Sequence, residues 1–534
     1  MREKSEDGII ATTASGRVEG LVEGDAAVYR GIPFAAPPIG ELRWRPPQPA
    51  PPWTDVLKAH RFGPICPQHD LPITPFTIGD MSEDCLTLNV WGPRDMKASN
   101  LPVMVWISGG AFIAGAGSWP VYDGTRYVER GVIVVTLNYR VGRFGFFAHP
   151  ILSAESPNEP LANYGLMDVI AALRWVQANI AAFGGDPRQV TLAGHSAAGL
   201  MIAALMGSQT ASGLFAKAIV MSASSLTRPR RPMRLDDPEQ PNYYEADAET
   251  DGVRFTDSLE RPVATAAELR ALPADVVLGP PAATGELPPR ALMLDGQIIT
   301  EETLVPFCSG AAANIPLIIG TTNRDLHCWI VKDPANPQNL FPCDYWIEYP
   351  LAVQSPGNLQ SELGDRLNEY AAVVTRTSDD DWNEVLQLDI LDAAVRLAAE
   401  QMNHSGAKAF VYRFTAVPGR LRARSRGVPH AGELSFVFDS FSKMSEVAAF
   451  GASPEDSELS SVLIDYWTSF VKTGDPNGPG RPQWPVYAGY GDVLEFAAEG
   501  PLIRETLPAE RLASATRLIS SRLDLLSLND IAAE

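Results

Sequence analysis

Long hydrophobic runs are scarce in this 534-residue chain. No segment holds the roughly 18 uninterrupted apolar residues that a bilayer-spanning helix needs, so no membrane span is expected. The amino end, Met1 to Gly8, carries charge but no apolar stretch, and no signal peptide is recognisable there. The compartment therefore stays open: cytoplasmic, or secreted or periplasmic if a leader has been removed. Positive charge is short as well. Lys and Arg number 43 against 64 Asp and Glu, a formal net charge of −21, which disfavours nucleic acid and anionic surfaces as partners. Cysteine is rare, and its odd count of five leaves at least one without an intrachain partner. The 43 Gly and 45 Pro are about a sixth of the chain, below the level of a low-complexity sequence. With 45% hydrophobic residues, the chain has ample material for a large core.

What is present reads as alternating strand and helix. The first ninety residues, rich in Pro and short β-like runs, read as a β-meander. Val103–Ile107 and Val132–Leu137 are continuous apolar runs bounded by Gly or Pro, as expected of strands buried on both faces. Val169, Leu173, Val176 and Ile180 recur on one helical face between Asn163 and Ala182, and Gly184-Gly185-Asp186-Pro187 closes that helix. Val190–Ala193, Leu200–Met206 and Ala218–Met221 continue the pattern as strand, helix and strand. Residues 228 to 290 are polar, acidic and Pro-rich, as loops and excursions would be. Strand character returns at Ile315–Ile319 and Ala409–Phe414, with helical text in much of 358–404 and 455–472. No repeat or flexible linker divides the chain, so one domain over 1–534 is expected. The fold class is α/β, with a mostly parallel sheet covered by helices.

Chemistry gathers at two turns. Gly194-His195-Ser196-Ala197-Ala198-Gly199 lies between an apolar strand and an apolar helix, where a sharp turn lifts one hydroxyl to the sheet top. Such a turn needs small residues two positions either side. Gly194 meets that need, and Ala198 stands where a second glycine is usual. The alternative for Ser196 is an N-cap hydroxyl. After the strand ending at Ile107, Ser108-Gly109-Gly110-Ala111-Phe112 can present bare N–H groups to a carbonyl oxygen gaining charge. Gly110, Ala111 and Ala197 are the expected oxyanion donors.

Over nearly its whole length the chain resembles the type-B carboxylesterase and cholinesterase family of α/β-hydrolases. The resemblance rests on Gly31-Ile-Pro-Phe-Ala-Ala-Pro-Pro-Ile-Gly, Ser82-Glu-Asp-Cys-Leu-Thr-Leu-Asn-Val, the Gly109-Gly110 loop and Asn138-Tyr-Arg-Val-Gly-Arg-Phe-Gly-Phe-Phe. Asn163-Tyr-Gly-Leu-Met-Asp, Phe183-Gly-Gly-Asp-Pro, and Thr473-Gly-Asp-Pro-Asn with Trp484-Pro complete it. It implies a large, mostly parallel central sheet flanked by helices, with a deep gorge above. It also implies a serine carboxylesterase with Ser196 as nucleophile, Asp325 as acid and His430 as base. Gly320 is expected to end the strand Ile315–Ile319, and Asp325 lies five residues after it, where the family more often has glutamate. His430 stands in His430-Ala-Gly-Glu433, similar to the family's histidine loop, and His327 is the rival base.

No metal or organic cofactor is required by that chemistry, and a small-molecule ester is the expected partner of a monomer or weak homo-oligomer. His195, Phe112, His327 and Arg324 are candidate substrate contacts. Cys66 and Cys85 match the family's first disulfide, with two reduced thiols as the alternative. The loop they bracket offers Leu71, Pro72, Ile73, Phe76 and Ile78 as a pocket roof. It lacks the aromatic platform with which cholinesterases hold quaternary ammonium, so cholinesterase activity is not expected. Arg228, Arg230, Arg231 and Arg234, with Arg324, are either a solvated cluster or an attractor for acidic or polycarboxylic esters. A non-catalytic adhesion or binding protein is the competing class, although such proteins usually lack the nucleophile or base.

Overall fold

The computed structural model describes residues 8–69, 79–95, 100–223, 226, 230–235, 246–280, 292–325, 327–331, 340–346, 365–377, 382–423, 425–441, 452–489 and 493–525. They belong to two compact units. The first is Met1–Leu71, Phe76–Ala216 and Pro229–Glu302; the second is Pro72–Pro75, Lys217–Arg228 and Thr303–Glu534. The pocket-roof residues 71–78 lie outside the described residues.

The first unit opens with the expected meander. Strands β1 (Ile9–Thr13), β2 (Gly16–Glu23) and β3 (Ala26–Pro33) pair antiparallel, and β4 (Thr87–Pro93) joins β3 in the same sense. Then β5 (Leu101–Ile107) runs parallel to both β6 (Ile133–Leu137) and β7 (Gly185–His195). The order is β1-β2-β3-β4-β6-β5-β7. Every residue of Val103–Ile107 is fully buried, which is why that segment is an unbroken apolar run and not an alternating one. Each large apolar side chain so placed contributes about 1.5–3 kcal/mol relative to exposure.

Helix α1 (Tyr164–Asn179) follows Asn163 and passes into a tight turn, Ile180–Phe183, stopped by Gly184 in the left-handed region at φ 88°. Val169, Leu173, Val176 and Ile180 are all fully buried. So are neighbours on other faces, among them Tyr164 and Asp168. The stretch Tyr164–Phe183, interrupted by Asp168 and Arg174, is long and apolar enough by composition to cross a bilayer, yet 67% of its most apolar window is buried inside the protein, so no clear membrane span is present among the described residues. A core helix covered on several sides meets the same compositional test as a lipid-facing one. Asp168, on α1, accepts from Arg140 Nε at 2.8 Å, NH2 at 2.7 Å and the backbone N–H at 3.0 Å.

The second unit continues with β8 (Lys217–Met221), β9 (Leu317–Thr322), β10 (Ala409–Phe414) and β11 (Val493–Ala497), each parallel to the next. Strand β12 (Gly500–Arg504) closes that edge antiparallel to β11. Gly320 does not end its strand as expected. β9 runs two residues further to Thr322, because Gly320 lies flat against Tyr412 of β10, where a Cβ would come within 2.3 Å of the ring. The helices α3 (Trp382–His404) and α4 (Pro454–Thr473) fall in the helical text. Helix α4 starts with a capping box between Ser453 and Asp456 and stops at left-handed Gly474. Beyond it, Asn477 accepts from Trp484 N–H at 2.7 Å and donates to Trp484 C=O at 2.9 Å, which accounts for the Asn and Trp of that motif.

Candidate active site

In the first unit, β7 ends at His195 and helix α2 (Ala197–Gly207) begins two residues on, earlier than the sequence pattern indicates. Ser196 between them has φ 61° and ψ −126°, a conformation non-glycine residues rarely adopt, costing about 1–3 kcal/mol. Its side chain makes no capping hydrogen bond to the helix, which sets aside the N-cap alternative. Gly194 must be glycine here. A Cβ on it would stand 2.8 Å from the Ala198 methyl and 3.1 Å from both Ile107 C=O and Ile202 Cδ1. Since Ala198 carries the one tolerated methyl, no room is left for a second.

The loop after β5 presses against the same turn. A Cβ on Gly109 would meet His195 C=O at 2.5 Å and Ser196 Cβ at 3.1 Å. Gly110, Ala111 and Phe112 all have positive φ, at 129°, 54° and 63°. Three successive residues in that region turn the chain sharply, with Ile113 and Ala114 N–H both donating to Gly110 C=O at 3.0 Å. The Tyr139 hydroxyl ties down Ser108 C=O at 2.8 Å, and Gly142 N–H ties down Phe112 C=O at 2.6 Å. Gly110 and Ala111 thus follow directly on the residue packed against Ser196, and Ala197 heads α2. Phe112 is buried with its ring edge-on to Phe146 at 5.2 Å, and His195 is buried at the strand end.

In the second unit, Asp325 and His430 meet. Asp325 Oδ1 lies 2.6 Å from His430 Nδ1, and Oδ2 accepts Thr322 N–H at 3.2 Å. The Asp325 side chain is fully buried, and that of His430 is 9% exposed. Beyond the pair lie Ser222 and Glu433, to which sequence reasoning assigned no functional role. The Ser222 hydroxyl donates to Glu433 Oε1 at 3.1 Å, and Ser222 N–H donates to Gly320 C=O at 2.8 Å. Burial, reinforced by the negative charge of Asp325, pushes the Glu433 carboxyl up to about 8. The phenol of Tyr412 is driven well upward by its own burial and then by Glu433 and Asp325. Ser222 and Ala431 both have positive φ, at 50° and 66°. The local signal, a Glu three residues after a His, could be read, but its burial arises only in the fold.

Arg324 is held by its main chain, which bridges to Pro429. The side chain of His327, and all of Arg228, lie outside the described residues. The remaining arginines of the cluster serve the fold of the first unit. Arg231 pairs with Asp251 and donates to Ala246 C=O, Arg234 grips Glu249 with two hydrogen bonds at 2.7 and 2.9 Å, and Arg230 is buried. The expected Cys66–Cys85 disulfide is corrected: both are buried free thiols. A hydrogen bond between them, with burial, holds the Cys85 thiol well above its ordinary value. Among the described residues, no cluster of three or more His, Cys, Asp or Glu is arranged to hold a metal ion.

Known proteins share this plan. The Carboxylesterase family profile matches residues 7–514. Fumonisin B1 esterase of Sphingopyxis macrogoltabida is 33% identical over 500 residues, 92% of this chain and 87% of that protein. Para-nitrobenzyl esterase of Bacillus subtilis (strain 168) is 36% identical over 493 residues, 90% of this chain and 92% of that protein. A solved PNB esterase structure superposes with a TM-score of 0.75 at 34% identity, covering 95% of this chain and 99% of that one. The chain therefore belongs to the carboxylesterase family, type B with the cholinesterases, and is a carboxylic ester hydrolase of the α/β-hydrolase fold.

Proposed function

We propose that the protein is a serine carboxylesterase that works through an acyl-enzyme on Ser196, with both units acting as one α/β-hydrolase domain over 1–534. His430 takes the hydroxyl proton as Ser196 Oγ attacks the ester carbonyl. Asp325, bonded to His430 Nδ1, fixes the tautomer that leaves Nε2 free to accept, and stabilises the imidazolium that forms. The oxyanion is held by the N–H groups of Gly110, Ala111 and Ala197, each contributing about 2.7–4 kcal/mol to the barrier reduction. His430 then returns the proton to the leaving alcohol. Water, activated by the same histidine, attacks the acyl carbonyl and releases the acid and Ser196. The observation that carries this reading is the strained backbone of Ser196, which caps nothing and abuts a glycine loop. The esterase names of the similar proteins favour the catalytic reading over the non-catalytic one.

Fumonisin B1 and para-nitrobenzyl esters are the first substrates to try, from the names of the relatives. Acidic or polycarboxylic esters are the narrower class raised by the basic cluster. The pairing of Arg231 and Arg234 with carboxylates weakens it, leaving Arg324, beside Asp325 in sequence, as its support. His195, Phe112 and His327 complete the proposed substrate contacts. The test is hydrolysis of a p-nitrophenyl ester. Ser196→Ala should lower kcat by about 10⁶, and near-normal turnover by that variant would refute the assignment.

A further inference from the structure

Aspartate has one methylene between backbone and carboxylate, so its main chain must deliver the group to His430 with little help from rotamers. In the second unit the segments bearing the two residues are stitched together just ahead of both. Asn323 Oδ1 accepts Val428 N–H at 2.7 Å, Arg324 N–H donates to Val428 C=O at 3.0 Å, and Arg324 bridges to Pro429. Asn323 N–H in turn donates to Phe414 C=O at 3.1 Å, anchoring the latch to the end of β10. Of these links, only the one through the Asn323 amide depends on a side chain. The donor is a backbone N–H, so the amide must present its oxygen there. Val428 is fully buried, two residues before His430, and Asn323 is two residues before Asp325. Gly427 completes the arrangement: a Cβ on it would lie 2.8 Å from Asn323 Oδ1 and 2.9 Å from Arg324 Cγ.

We propose that Asn323 is a positioning residue, whose amide latches the aspartate-bearing turn to the histidine-bearing loop and so sets the separation of Asp325 and His430. The inference rests on the reading of that pair given under Proposed function. Asn323 acts through the main chain, by accepting Val428 N–H. Misplacing a catalytic group by about 1 Å can cost on the order of 10²-fold in rate.

The test compares Asn323→Leu, Gly427→Ala, Asp325→Asn and the double variant Asn323→Leu/Asp325→Asn on a neutral p-nitrophenyl ester. Asn323→Leu keeps the shape and removes the acceptor, and should lower kcat by about 10–100-fold with KM changed less than about twofold. Gly427→Ala, which wedges the latch from the other side, should give the same split. In the Asp325→Asn background the further loss should be less than about twofold, because no charged carboxylate remains to be positioned. Equal loss in both backgrounds would reduce Asn323 to a structural staple and overturn the proposal, as would full kcat in a folded Asn323→Leu enzyme. If Asn323→Leu does not fold, full kcat in Gly427→Ala overturns it instead. Full kcat in Asp325→Asn alone would sink the underlying reading and this inference with it. Loss in Asp325→Asn beside full kcat in Asn323→Leu would sink the inference only.

Discussion

Glu433 is the residue with the most unusual electrostatics among those around His430. It is fully buried, hydrogen-bonded to Ser222 and close enough to Asp325 for the two charges to oppose one another. An acid whose folded value rises from about 4.5 to about 8 binds its proton more tightly folded than unfolded. Stability from this group is therefore highest below about 4.5 and falls as the pH climbs through that window to about 8. Glu433→Gln mimics the neutral form at every pH. In thermal melts the variant should match the parent below about pH 4.5, gain a growing Tm advantage as pH rises from there to about 8, and hold it above that. A gap that shrinks with rising pH would show that Glu433 is ionised in the folded protein. Ser196 and Gly194 were legible in the sequence because their reasons are local, a turn and the space around it. Glu433 was not, since its burial depends on β8 and β9, more than a hundred residues earlier in the chain.

At the scale of elements, the parallel strands and α1 were readable from continuous or helical apolar patterns, because burial on two faces leaves that trace in the sequence. The extent of β9 was not. Gly320 looked like a terminator, and only the Tyr412 ring lying over it explains a glycine inside a strand. Helix α1 carries one buried charge, Asp168. Arg140 and Asp168 satisfy each other there, with their side chains 3% and 0% exposed. Removing one partner strands the other in a medium of low polarity, which typically costs about 3–5 kcal/mol. Asp168→Asn should therefore lower the urea midpoint without changing the slope, and a loss below about 1 kcal/mol would mean that the pair is hydrated. The loop after β5 was legible as two glycines. The positive φ of Ala111 and Phe112 was not, because neither residue type advertises it.

For the molecule as a whole, the net charge of −21 sets how substrates approach. Anionic esters should be repelled at low salt, and screening over a Debye length of about 10 Å at 0.1 M relieves this. kcat/KM for a dianionic ester should thus rise with ionic strength while that for a neutral ester stays level. A fall with salt would reveal a local cationic site and would favour polycarboxylic substrates. The basic cluster was visible in sequence, but its partners Glu249 and Asp251 were not identifiable among the many nearby acids until folding paired them.

The central claim is that Ser196 carries the acyl group. Mixing excess p-nitrophenyl ester with enzyme and quenching during the burst should give one acyl group per chain. Mass spectrometry should place it on the peptide containing Ser196 and find none in Ser196→Ala. An adduct on a different residue, or turnover with no adduct at all under conditions where deacylation is slow, would contradict the account.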